Sequence, residues 1–75
     1  MPTHKNVHVV PHEGHWDVIR EGATRPLSIH DDQQRAFEAG RLAAQRSHGE
    51  VFLHGEDGRI RERNTYGDDP YPPEG

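Results

Sequence analysis

The chain has 75 residues, carries a formal net charge of -4 and contains no cysteine. That length suits one small domain, which buries only about 60% of the surface its unfolded chain exposes. Disulfides and thiolate metal sites are excluded, and the acidic balance works against long-range attraction to nucleic acid.

The hydrophobic fraction of 29% approaches the disordered class. The apolar residues nevertheless cluster into periodic segments and the charges are mixed in sign, so a folded domain of modest stability is expected. A homodimer that buries an extra apolar face is one way to support such a core. The polar start, Met1 to Asn6, shows no signal-peptide pattern, and no apolar run reaches the length of a membrane span. The expectation is a cytoplasmic protein with a disordered N-terminus (1–5), a single domain (6–66) and an extended tail (67–75).

Asn6 to His12 reads as a strand, with Val7 and Val9 on one face and His8, Val10 and His12 on the other. Pro11 cannot donate to a ladder and belongs at the strand end or on an edge. His12-Glu13-Gly14-His15 is a turn, and Trp16 to Glu21 is the return strand. Val7, Val9, Trp16 and Val18 form the expected core side of this hairpin. Gly22 to His30 reads as a connection, with Leu27 and Ile29 as lids over the core edge; the alternative is a short strand at Leu27 to Ile29.

Asp31 to His48 reads as the one helix, with Asp31 or Asp32 as N-cap. Ala36, Phe37, Ala39, Gly40, Ala43 and Ala44 share a broad face of small residues anchored by Phe37, and Leu42 lies at its margin. Gly49 is the expected left-handed stop. Glu50 to His54 is a strand, Gly55-Glu56-Asp57-Gly58 a tight turn with the Asp-Gly signal, and Arg59 to Asn64 the partner strand. Alternation puts Ile60, Glu62 and Asn64 on one face and Arg59, Arg61 and Arg63 on the other. Val51, Leu53 and Ile60 are expected in the core. The fold class is α+β: two β-hairpins flanking one helix (β-β-α-β-β), the helix on one face of a small antiparallel sheet, followed by a Pro-rich extended tail.

The stretches HVVPHEGHWDVIREGATRP, the Ala-rich helix and HGEDGRIRERNTYGDDPYPP resemble a family of small bacterial proteins called domain of unknown function 2188. The resemblance spans Val7 to Pro73 and is most specific in the final motif. His15 departs from it, standing where the HEGGW form of the turn has Gly. The resemblance supports a stand-alone domain; the family has no assigned activity and so supplies no catalytic residues.

The sequence offers few sites. Arg59, Arg61 and Arg63 would lie about 6.5–7 Å apart on one strand face, a spacing that suits successive phosphates or carboxylates. His54, Asn64 and Tyr66 lie near them. The bland reading is a solvated outer face with Glu56, Asp57, Glu62 and Asp17 as ionic partners. His8 and His12 share a face but lie about 13 Å apart along the strand, too far for one metal ion. His12 and His15 flank a turn and can approach each other, and the histidines as a group read as ordinary surface or half-buried side chains, with no metal or cofactor expected. No nucleophile, phosphate loop or paired-carboxylate motif points to an enzyme or to a small-molecule substrate. Tyr66 and Tyr71 are expected to strap the tail over the core. The functional expectation is a non-catalytic module that binds a protein partner or a second copy of itself, with nucleic-acid binding through the last strand as the alternative.

Overall fold

The computed structural model describes residues 5–66. The elements in chain order are β1 (Val7–His12), β2 (His15–Arg20), β3 (Pro26–His30), α1 (Gln33–Ser47), β4 (Glu50–His54) and β5 (Ile60–Thr65). The fold is α+β, with the five strands in one sheet of order β3-β2-β1-β4-β5.

The sheet is mixed rather than wholly antiparallel: β1 and β4 pair in parallel, Val7 to Val51, His8 to Phe52 and Val9 to Leu53. The helix explains the change. It carries the chain from the end of β3 back to the opposite end of the sheet, so β4 runs in the direction of β3 and therefore of β1. The segment after Gly22 supplies a real edge strand, β3, paired antiparallel to β2.

The first hairpin closes on Glu13 and Gly14, whose φ angles of 52° and 88° are both positive, as a type I′ connection requires. It sets Val9 opposite Val18 and His12 opposite His15. Strand alternation then sends Val7, Val9, Trp16 and Val18 to one face, where they meet Val51 and Leu53 of β4 and Ala36 and Ala44 of α1 in the buried core.

The helix begins at Asp32, whose carboxylate accepts from the Arg35 N–H at 2.7 Å. This satisfies one of the orphan donors of the first turn. Its small face allows close approach: a Cβ placed on Gly40 would lie 2.8 Å from Val9 Cγ2 and 3.0 Å from Val51 Cγ2. The helix does not stop on Gly49. His48 takes the left-handed conformation (φ 58°), its N–H donates to Gln45 O, and the Gly49 N–H donates to Ala44 O, the Schellman pattern one residue earlier than the sequence suggests. Gly49 is a glycine for another reason. A Cβ there would sit on the Lys5 carbonyl, which also accepts from Ser47 Oγ at 2.7 Å.

Three apolar residues expected against the core are exposed. Ile29 is 55% exposed, Leu27 51% and Ile60 54%. Ile29 stands opposite Asp17 and so faces away from the helix. A register shift between Val18 and Ile19 passes over Leu27, which lines the rim groove with Ala39 and Leu42. A second shift, between Leu53 and His54, passes over Arg61, so that Ile60 pairs with His54 on the face away from the helix.

Candidate functional site: the open face of the sheet

Among the described residues α1 is the only helix, and it packs on one face of the sheet. The other face carries His8, Val10, Ile19, Ile29, Phe52, His54 and Ile60, together with the residues paired beside them. Two histidine groups occupy it.

The first spans the β1–β4 seam. The parallel register sets His8 beside Phe52, and the two rings stack with centroids 5.0 Å apart and planes 20° from parallel. His8 Nδ1 lies 2.9 Å from His54 Nε2, and His8 Nε2 lies 2.9 Å from Glu21 Oε1. The carboxylate accepts, so His8 donates from Nε2; a neutral His8 then accepts at Nδ1 from His54, and a cationic His8 donates there instead. Burial first, and the neighbouring His8 second, push the His54 pKa below its usual value, while a backbone hydrogen bond involving Gly58 acts in the other direction.

The second group sits at the turn end of the first hairpin. His12 Nδ1 lies 3.3 Å from Asp17 Oδ2, and the His12 and His15 rings meet edge to face with centroids 5.8 Å apart. One ligand atom from each of His12, His15 and Asp17 lies within 4.8 Å of the others. Asp17 Oδ1 is buried without a hydrogen-bond partner, a costly state for a carboxylate oxygen.

The arginines are placed differently from the expected strip. Arg59 lies just before β5, with its backbone N–H held by Asp57 Oδ1 at 3.0 Å. Arg61 sits at the register shift, with its aliphatic stem against Gly55. Arg63 stands opposite Phe52 on the open face. None of the three is in an ion pair among the described residues; Asp17 contacts His12 rather than an arginine. Of the residues grouped with them in sequence, His54 shares the open face, whereas Asn64 pairs with Val51 on the helix side.

Tyr66 also lies on the helix side. It packs against the core, its hydroxyl accepts from Arg41 Nε at 3.0 Å, and its N–H donates to Gly49 O. The Tyr66 hydroxyl is the first cause of a raised Arg41 pKa. Tyr71 and the rest of the expected strap lie outside the described residues.

Sequence reasoning saw that His12 and His15 can approach across their turn, but it missed Asp17 beside them and the pairing of His8 with His54. A two-residue turn makes His12 and His15 a cross-strand pair, and Asp17 lies two residues further on the same face as His15. That signal was available locally. The contact between His8 and His54 was not, because it depends on which strand β4 chooses.

No curated protein and no solved structure matches the chain. A family model described as an uncharacterised protein conserved in bacteria, DUF2188, matches residues 7–66, the whole of the sheet and helix, and the chain belongs to that family.

Proposed function

We propose that the protein is a small non-catalytic binding module that self-associates through the open face of its sheet. The observation that carries this reading is the pair of exposed isoleucines at the two edges of that face, Ile29 on β3 and Ile60 on β5, with the half-buried Val10 and Phe52 between them. Sheets bury such faces against a second layer, and an exposed apolar patch is the usual mark of a docking surface. The charges favour a second copy as the occupant. Glu21 belongs to the β2 side, and Arg63 belongs to β5 across the seam. A two-fold axis near β1 brings acidic half against basic half and apolar row against apolar row. The cytoplasmic location expected from the cysteine-free composition is part of the same proposal.

Sedimentation equilibrium from low to high micromolar concentration tests it. The wild-type chain should move from monomer to dimer, and Phe52→Glu with Ile29→Glu should hold it monomeric while the helical circular dichroism persists. A wild-type chain that stays monomeric throughout would overturn self-association.

A second reading, nucleic-acid binding, is favoured by one observation: Arg59, Arg61 and Arg63 are free of ion pairs among the described residues. It requires affinity for DNA or RNA that falls steeply with salt, with a slope lowered by about one in Arg61→Ala. Absence of binding at low salt removes it.

A further inference from the structure

We infer that His12, His15 and Asp17 form a binding site for a divalent transition-metal ion of the zinc class. Three features of the hairpin end combine here. Two imidazoles and a carboxylate are a donor set that zinc accepts, with Zn–N about 2.0–2.1 Å and Zn–O about 2.0–2.2 Å. Two ligands at such distances on a tetrahedral centre stand roughly 3.3–3.4 Å apart, and His12 Nδ1 lies 3.3 Å from Asp17 Oδ2. His15 has a ring nitrogen within 4.8 Å of both.

The scaffold is stiff for so small a protein. The three ligands sit on paired strands joined by a two-residue turn with fixed positive φ angles, so their separation is set by the ladder and not by a loop. Asp17 is the anchor. Its side chain is only 13% exposed, and its Oδ1 is buried with no partner. A cation bound by this carboxylate offsets the cost of burying an under-satisfied charge. His12 and His15 also line a surface cavity of about 430 Å³, closed on other sides by Glu13, Trp16 and Glu56. Water supplies the fourth ligand of zinc in open sites, and Glu56 lines the same cavity as His12 and His15.

The other histidine group does not match this chemistry. His8 and His54 already bond each other, and the second nitrogen of His8 bonds Glu21; the two nitrogens of one ring point apart, so His54, His8 and Glu21 cannot all ligate one ion through these atoms.

The site is tested on the full 75-residue chain with Zn²⁺ and Co²⁺ as probes, at pH 7.5. Calorimetric titration should give one saturable site per chain, and Co²⁺ should develop the visible absorption of a tetrahedral nitrogen–oxygen centre. His15→Ala and Asp17→Asn should each weaken binding by at least about tenfold, whereas His54→Ala and His30→Ala should leave it unchanged. Amide and imidazole NMR shifts on adding Zn²⁺ should be confined to residues 12–17 and their cross-strand neighbours, which reads the site in the folded wild-type protein even where a variant is unstable. Binding that survives both His15→Ala and Asp17→Asn, that disappears with His54→Ala, or that shows no saturation with either metal would overturn the inference.

Discussion

His8 Nδ1 and His54 Nε2 stand 2.9 Å apart across the parallel seam between β1 and β4. A single proton holds this contact together, and a second one breaks it, because two imidazolium rings have only donors to offer each other.

The pH dependence follows from His54, whose pKa is lowered mainly by burial and then by His8. A histidine with a depressed folded pKa is held in its neutral form by the fold. Its contribution is complete above the unfolded value of about 6.5 and is lost as pH falls through the folded value. Urea denaturation between pH 8 and pH 5 should therefore show the midpoint falling below about pH 6.5. His54→Gln should flatten part of that fall. Parallel losses in wild type and variant would locate the sensitivity elsewhere.

Gly40 tests the closeness of the helix to the sheet. Alanine would raise helix propensity by about 1 kcal/mol, but its Cβ would meet the methyls of Val9 and Val51 at 2.8 and 3.0 Å. Both valines are fully buried and stiff at χ1. Overpacking typically costs about 1–3 kcal/mol, so Gly40→Ala should lower stability by about 1 kcal/mol net. A gain in melting temperature would show that the interface relaxes.

The helix C-terminus makes two opposite predictions for neighbouring positions. His48→Gly should stabilise by about 0.5–1 kcal/mol, because His48 occupies a left-handed conformation that glycine adopts freely. Gly49→Ala should destabilise strongly, since its Cβ would collide with the Lys5 backbone. Thermal melts of the two variants separate a conformational requirement from a steric one.

Among the described residues Glu13 is the other non-glycine residue with positive φ. Its carboxylate lies 3.9 Å from His12 Nε2 and is exposed, so that ion pair contributes little. Asparagine at this position gives the Asn-Gly pair that type I′ turns favour. Glu13→Asn should raise stability by about 0.5–1 kcal/mol, read as a shift of the urea midpoint at unchanged slope.

The parts of the fold that depend on short-range alternation were legible in sequence. Val7, Val9, Trp16, Val18, Val51 and Leu53 were assignable because each strand alternates cleanly and each turn is marked by glycine. The helix face from Ala36 to Ala44 was legible by the same logic at helical spacing. Ile60 was misassigned because register shifts are set by how a turn closes, and alternation counts straight through them, and Ile29 was misassigned because its pairing with Asp17 turns it to the open face. The shift at Leu53 also disperses the arginine row that sequence alone draws on one face. The parallel pairing of β1 with β4 joins residues more than forty positions apart, and no local pattern encodes it. The candidate site inherits this division. His12, His15 and Asp17 were within reach of a cross-strand count, whereas His8, Phe52 and His54 become neighbours only once the strand order is known.

The same seam divides the chain into two stretches that assemble from near neighbours. One is the meander β1-β2-β3, and the other is α1 with the β4–β5 hairpin. Among the described residues, β1 and the two residues before it against β4 and the helix end, with the helix across both, tie them together. Local closures come early and long loops close late, since chain entropy must be spent before distant contacts repay it. The valines at the seam thus act as the latch of the folding reaction. Substitutions there should mainly hasten unfolding, whereas those in the locally paired strands β3 and β5, which close early, should slow folding itself.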